Sequence, residues 1–345
     1  MRLPPLNARW VRDLNLVRSG LYFLESIPLT LVSRFITHPE LPPPTREQLQ
    51  SLWTNVLKIH TRDSEAVATG LYPLTALEIE NPLKHLRSFI DVLSDGVRVA
   101  TRMKNRDSKS FDKKAHALKA DLPEYYTRNF HFQTDGYLSQ ASARRYDHQV
   151  DILFSGTTGA MRRQILPVLK KQAKTKGPWL EIGCGSGSTT RPVLETFPKA
   201  KITALDLSSP YLKVAQQDLA KFDNVDFVQG NATDLTFKDE TFAAVYSTYL
   251  FHELPPKERR QVAAEAYRVL KPGGVLIFAD SLQWDNDPDL NWALERFPKV
   301  YHEPFYPNYL RDDLGQLFKE VTGQEVHEDQ AFLTKMVWLK KSDHA

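Results

Sequence analysis

The sequence predicts an α/β protein: a doubly wound, mostly parallel sheet that ends in an antiparallel hairpin, preceded by a helical N-terminal region. Three observations predict it. A short apolar run, Pro178–Ile182, leads into Gly183-Cys184-Gly185-Ser186-Gly187, with a helix predicted over 188–197, which reads as strand, tight turn, helix. Strand-like and helix-like segments then alternate to about residue 280. Finally, two strand-like runs, 324–332 and 334–340, follow each other with almost no linker. A parallel pair needs a long crossover, so these two must pair antiparallel at the sheet edge.

Length and composition set the frame. A chain of 345 residues, 41% hydrophobic and 25% charged, is comfortable for two domains with a buried core. A net charge of +3 is too small to argue for nucleic acid, and the local basic run Arg98–Lys119 reads as a solvated helix face or linker. The single cysteine, Cys184, excludes an internal disulfide and agrees with a reducing compartment. The apolar stretch 21–36 is interrupted by Glu25, Pro28 and Arg34, too broken for a membrane span, and no signal peptide is apparent. The expected location is cytoplasmic.

From Trp10 to about Ala120 the signals are helical. Pro42–Pro44 end one segment, and Thr45 with Gln48 forms a capping-box pattern that opens the next. Leu49, Leu52, Trp53, Val56 and Leu57 then recur at helical spacing. Asn81-Pro82 repeats the start signal, and Leu83, Leu86, Ile90, Leu93 and Val97 give a second apolar face. Both faces demand partners. Residues 1–120 are therefore read as a helical domain or extension, 121–145 as an aromatic connecting or lid segment, and 146–345 as the nucleotide-type domain. The connecting segment, with Tyr125, Tyr126, Phe130, His131, Phe132 and Tyr137, either packs the domains together or covers a ligand. One helix is predicted over 147–169 with an irregularity at Gly156, strands over 202–207, 225–230, 242–248 and 275–280, and helices over 209–221, 255–270 and 308–321.

Glycine is required in the 183–187 turn because a ligand must approach bare backbone and the turn needs angles that side chains disfavour. Asp206 ends the second strand, where a carboxylate accepts both hydroxyls of a ribose; its rival role, a helix cap, can be filled by Ser208 or Ser209. Asn231 and Ala232, after the third strand, offer an amide and backbone groups suited to an adenine, with a plain turn as the alternative. His252 and the pair His302-Glu303 lie in loops near the carboxyl edge of the sheet, where ligands sit. A histidine there can take a proton from an acceptor or serve only in structural hydrogen bonding. His131 is a third candidate. No short-spaced ligand cluster is present, so no metal site is expected.

Taken together, 180–187, Asp206, Asn231-Ala232, Phe237–Phe242 and Tyr267–Gly274 resemble the class I S-adenosylmethionine-dependent methyltransferases, and in pattern the quinone-pathway and similar small-molecule enzymes. The resemblance covers about residues 145–340. It implies a seven-stranded sheet and S-adenosylmethionine as cofactor, with Glu181, Gly183, Gly185 and Gly187 around its methionine part. It further implies Asp206 on the ribose, Asn231 and Ala232 on the adenine, Thr248 against the cofactor, and Tyr146 closing over it. Cys184 is then a small loop residue, not a nucleophile. After the fourth strand the sequence departs from the quinone enzymes, reading Tyr249-Leu250-Phe251-His252-Glu253-Leu254, which counts against a quinone substrate. The implied reaction is in-line methyl transfer to a small aromatic or amphipathic acceptor. The rivals are a nucleic-acid methyltransferase using the basic run, and a non-catalytic cofactor-binding interaction module. The oligomeric state and the role of residues 1–120 stay open.

Overall fold

The computed structural model describes residues 7–37, 42–77 and 81–343. Four helices come first: α1 (Ala8–Thr37), α2 (Arg46–Ala68), α3 (Pro82–Asn105) and the short α4 (Lys113–Leu118). Next come α5 (Gln140–Leu153), α6 (Thr158–Arg162) and α7 (Ile165–Gln172). The chain continues through β1 (Trp179–Ile182), α8 (Thr190–Thr196), β2 (Ile202–Asp206), α9 (Ser209–Asp218), β3 (Val225–Gln229), β4 (Phe242–Thr248), α10 (Pro256–Arg268) and β5 (Leu270–Ser281). It closes with α11 (Asn291–Val300), α12 (Tyr306–Tyr309), α13 (Leu314–Thr322), β6 (His327–Ala331) and β7 (Thr334–Lys340).

The seven strands form one sheet in the order β3-β2-β1-β4-β5-β7-β6. All neighbours are parallel except β5–β7 and β7–β6, so the terminal hairpin is antiparallel and β6 is the edge. Every residue of β1 and β4 is buried, as central strands covered on both faces require. The edge strand β6, His-Glu-Asp-Gln-Ala, is polar and half-exposed, which blunts edge pairing. The chain winds outward from β1 to β2 and from β4 to β5. The crevice at that reversal, at the carboxyl ends of β1 and β4, is where an open α/β sheet holds ligands.

Two predicted helices are broken. The segment predicted over 147–169 divides into α5, α6 and α7, because Ser155 and Gly156 turn through left-handed angles. A Cβ at Gly156 would lie 2.8 Å from the Tyr22 ring, so glycine admits α1 there. The segment predicted over 308–321 divides at Asp313, whose carboxylate accepts the Gly315 and Gln316 amides and starts α13 afresh. Both predicted start signals are realised: Thr45 and Gln48 form the reciprocal capping box of α2, and Asn81 caps α3 through the Leu83 amide.

The helical part packs in an unexpected sense. Of the predicted α2 face only Val56 is fully buried, while Leu49, Trp53 and Leu57 stay exposed. On α3, Leu83, Leu86, Ile90 and Val97 face outward, and Val92, Asp95 and Ala100 are the buried residues. The reason lies in the neighbours. The inner side of α3 meets Leu29 of α1 at Gly96, where a Cβ would be 3.0 Å from that leucine, and the inner side of α1 is largely polar. Its Ser19 bonds His60 at 2.7 Å, and its Glu25 bridges His85 (2.7 Å) and His148 (3.0 Å) on α3 and α5. Asp63 of α2 makes a two-pronged pair with Arg163, at 2.9 and 2.8 Å, and Tyr72 adds a third contact at 2.5 Å, all buried. These polar joints fasten the helices to the sheet domain.

Candidate functional site

A cleft opens at the carboxyl ends of β1, β2 and β4. Gly183, Gly185 and Gly187 take φ of 74°, 55° and 89°, so the turn after β1 is left-handed at each glycine. Asp206 closes it from β2: its two carboxylate oxygens accept the Gly185 and Ser208 amides, each at 2.7 Å. Ser208 itself caps α9 through the Tyr211 amide, which frees Asp206 from that role. Burial raises the Asp206 pKa, while those backbone donors pull it back toward the carboxylate. Asn231, Ala232 and Thr248 line the same cleft, and Thr248 is fixed by the Thr189 hydroxyl at 2.7 Å. Its outer wall is aromatic: Tyr126, Phe130, Tyr137 and Tyr146 lie over it, with Phe130 stacked on Tyr137 at 5.3 Å.

A second, larger cavity of about 1010 Å³ lies between this cleft and the helices α1 and α3. Its walls are mostly apolar, with Leu29, Val92, Met103, Leu153, Phe297 and Leu333 among them. The two cavities share Tyr146, Arg162 and Tyr249, so they meet there. His252 lines the large cavity at this junction. Its Nδ1 lies 2.6 Å from Asp280 Oδ1, at the end of β5, and its Nε2 lies 3.7 Å from Glu253. Asp280 is itself held by the Phe251 and Ser281 amides at 2.6 Å. Burial opposes a charged imidazole at His252, but Asp280 and Glu253 outweigh it, so the pKa stands above the ordinary histidine value.

Beyond Glu253 the network continues. Tyr137 donates to Glu253 at 2.6 Å, His131 Nε2 lies 3.6 Å from the same carboxylate, and His131 Nδ1 lies 3.2 Å from Glu303. Burial pushes the Glu303 carboxyl up to about 8. Burial disfavours the His131 cation, but the flanking glutamates, Glu303 foremost, favour it and win.

The methyltransferase-domain family model matches residues 180–274. The demethylmenaquinone methyltransferase of Lactiplantibacillus plantarum is 31% identical over 206 residues, covering 54% of this chain and 85% of that protein. The chain belongs to the class I S-adenosylmethionine-dependent methyltransferases. A second relative, malonyl-[acyl-carrier protein] O-methyltransferase of Halalkalibacterium halodurans, is 28% identical over 41% of this chain; the chain spans 56% of that protein's length. Among solved structures, a methyltransferase from Aquifex aeolicus is similar at 17% identity, with 52% of this chain and 88% of that chain covered and a TM-score of 0.38, too loose a superposition to add to the argument.

The enzyme uses S-adenosylmethionine to transfer a methyl group. Of the residues predicted around that cofactor, the methyltransferase gathers Gly183, Gly185, Asp206, Asn231, Ala232, Thr248 and Tyr146 in the cleft. Glu181 and Gly187 stand behind it. Glu181, 1% exposed, turns under the turn to accept from Tyr246 at 3.2 Å, and burial raises its carboxyl to about 7. Gly187 is needed for packing, since a Cβ would lie 2.7 Å from Leu219. The Cys184 thiol is buried and raised far above its usual pKa by desolvation. His302 departs from the prediction: its ring packs on Phe132 and lines neither cavity, and it reaches the network only through its carbonyl, which accepts from the His131 amide. Glu303 likewise lines neither cavity and acts on His131 from behind.

Three residues of the methyltransferase site were missed. Asp280, Glu253 and Asp147 carried no local signal. Asp147, on α5, accepts from Ser186 at 2.7 Å and Ser188 at 2.5 Å, tying the glycine turn to a preceding helix; the Ser-x-Ser pattern inside the turn was the available hint. Among the described residues, side chains from distant segments also converge in two histidine–carboxylate groups that spacing along the chain does not reveal: Glu25, His85 and His148, and His131, Glu253 and Glu303.

Proposed function

We propose that this methyltransferase acts on an apolar acceptor carrying an acidic hydroxyl or enol, and that His252 removes its proton. The observation that carries the reading is the His252–Asp280 pair on the wall of the large apolar cavity, where that cavity meets the cofactor cleft. Asp280 accepts from Nδ1–H in this arrangement, which leaves Nε2 as the free base toward the acceptor. When bound, S-adenosylmethionine supplies a methyl group on a sulfonium, already activated for displacement. The chain's residues must then align the acceptor, exclude water and hold the proton. As the acceptor takes the methyl group that the bound cofactor would supply, its proton would pass to His252 Nε2. The resulting imidazolium is flanked by Asp280 and Glu253.

The cleft's donor set fits the cofactor. Asp206 would take the ribose hydroxyls with its remaining lone pairs, and Asn231 with Ala232 would meet the adenine. The rings of Tyr126, Tyr137 and Tyr146 offer faces suited to a cationic sulfur. In this reading residues 1–120 form a helical cover whose α1 and α3 wall the acceptor cavity, 121–145 cover the cofactor, and 146–345 carry the chemistry. The relatives' names give demethylmenaquinone as the acceptor in one case and malonyl-[acyl-carrier protein] in the other, and the first agrees with an apolar acceptor. The test is incubation with methyl-labelled S-adenosylmethionine and a cell extract divided into apolar, polar and nucleic-acid fractions. Label is expected in the apolar fraction. It should be lost in Asp206→Ala and reduced on the order of 10²- to 10⁴-fold in His252→Ala, with cofactor affinity unchanged in the latter. Label confined to nucleic acid, or full turnover in His252→Ala, would sink the reading.

A further inference from the structure

The helices around the acceptor cavity expose an apolar surface that the methyl-transfer chemistry does not use. Of sixteen exposed large hydrophobic side chains among the described residues, fifteen lie on α1, α2 and α3, so the exposure belongs to the helical cover and not to the fold at large. On α1 the residues Trp10, Leu14, Val17, Leu21, Leu24, Pro28, Leu31 and Phe35 recur at alternating steps of four and three, and six of the eight are exposed. That spacing places them along one side of the helix. The opposite side, Val11, Asn15, Ser19, Tyr22 and Glu25, is the buried one. Leu83, Leu86, Ile90, Leu93 and Val97 repeat the pattern on the neighbouring α3. An apolar stripe on each of two neighbouring helices exceeds what a water-facing helix pair ordinarily shows.

The charges beside the stripes select the occupant. On α1 and α3 the exposed basic residues are Arg9, Arg34, Lys84, Arg87, Arg98 and Lys104, against exposed Asp13 and Asp91, and Asp13 is paired with Arg12 at 2.7 Å. The large cavity is walled by other faces of these helices: Phe23, Ser26, Leu29, Thr30, Ser33 and Arg34 line it on α1, and no stripe residue of α1 or α3 does. A second copy laid on the stripes would set basic flank against basic flank. An anionic lipid surface matches those flanks and takes up the apolar side chains between them. We propose that the apolar stripes of α1 and α3 dock the methyltransferase in the interfacial layer of a membrane bearing anionic headgroups. No helix among the described residues is long and apolar enough to cross a membrane, so the attachment is from one side. This inference does not rest on the acceptor reading.

The test needs neither acceptor nor cofactor, so its failure is separate from failure of the reading above. The purified full chain is mixed with sedimenting vesicles of phosphatidylcholine alone or of phosphatidylcholine with phosphatidylglycerol. Binding is expected to the mixed vesicles, about tenfold or more weaker to the neutral ones, and weakening as salt is raised. Leu86→Glu/Ile90→Glu, on the stripe and outside both cavities, is expected to lose the binding while keeping cofactor affinity. The lipid and salt dependence of the unmodified protein stands as evidence even where that variant misfolds. Absence of binding to the mixed vesicles overturns the proposal. So does a dimer in sedimentation equilibrium that the double variant converts to monomer, since a second copy would then be the occupant.

Discussion

At the scale of single residues, the proposed proton transfer depends on how firmly His252 is held. Asp280 receives the Phe251 and Ser281 amides as well as Nδ1, so its position is fixed by backbone and the imidazole inherits that order. Asp280→Asn keeps most of the shape and removes the charge that raises the histidine pKa. The free base is the working form, so turnover in the unmodified enzyme should rise with pH through a value above the ordinary imidazole pKa of about 6.5. In Asp280→Asn that midpoint should move to lower pH while kcat falls, with KM for the cofactor unchanged. An unmoved midpoint with reduced kcat would mean that Asp280 only props the fold. His252 was legible because it follows a predicted strand at the ligand edge. Asp280 was not, because it lies 28 residues further on, and a carboxylate ending a strand has many possible uses. His131 and Glu303 were each visible as polar residues among aromatics, but their approach across the sheet edge is a product of the fold.

At the scale of elements, the glycine turn shows what a local pattern can reveal. The strand, the turn and Asp206 were readable together because each requirement is local: burial on both faces of β1, left-handed angles at three glycines, a carboxylate about twenty residues on. The reason for the third glycine was not readable. Gly187 is outside the cleft and is demanded by Leu219 of the loop after α9, which stands 2.7 Å from where a Cβ would lie, together with a φ of 89°. Gly187→Ala should therefore cost stability first, about 1–3 kcal/mol by denaturant melting, with cofactor affinity falling less than in Asp206→Ala. A variant as stable as the parent would assign Gly187 to the ligand after all. Element boundaries failed where side chains or special angles cut a helix that periodicity alone would continue, at Ser155–Gly156 and at Asp313. Amphipathic periodicity correctly marked α2 and α3 as helices but misjudged which way they face. The apolar stripe says that a helix has two sides, and the partner decides which is inward.

At the scale of the molecule, the helical cover is joined to the catalytic domain by buried polar contacts, and these make stability depend on pH. His60 is 1% exposed, bonded to Ser19 at 2.7 Å; burial foremost, helped by Arg163 and Arg18 against the pull of Asp63, lowers its pKa to about 4. In the unfolded chain it titrates near the ordinary value of about 6.5. Between those values the unfolded chain binds a proton that the folded chain refuses, so folding stability falls as pH drops, by about 3 kcal/mol for this one group. His148, lowered to about 4 chiefly by burial, contributes in the same direction. The Asp63–Arg163 pair works on the same joint but at lower pH, because a depressed carboxylate pKa sustains stability until the pH falls below the ordinary carboxylate range. Acidification from about pH 7 to about pH 5 should therefore lower the thermal midpoint through these histidines before the depressed Asp63 carboxylate titrates. His60→Gln should be less stable at neutral pH yet lose less on acidification. If both proteins lose the same amount over that interval, His60 does not govern the joint, and the acid sensitivity must be sought in the Glu25–His85–His148 bridge, where a single carboxylate holds α1 to both α3 and α5.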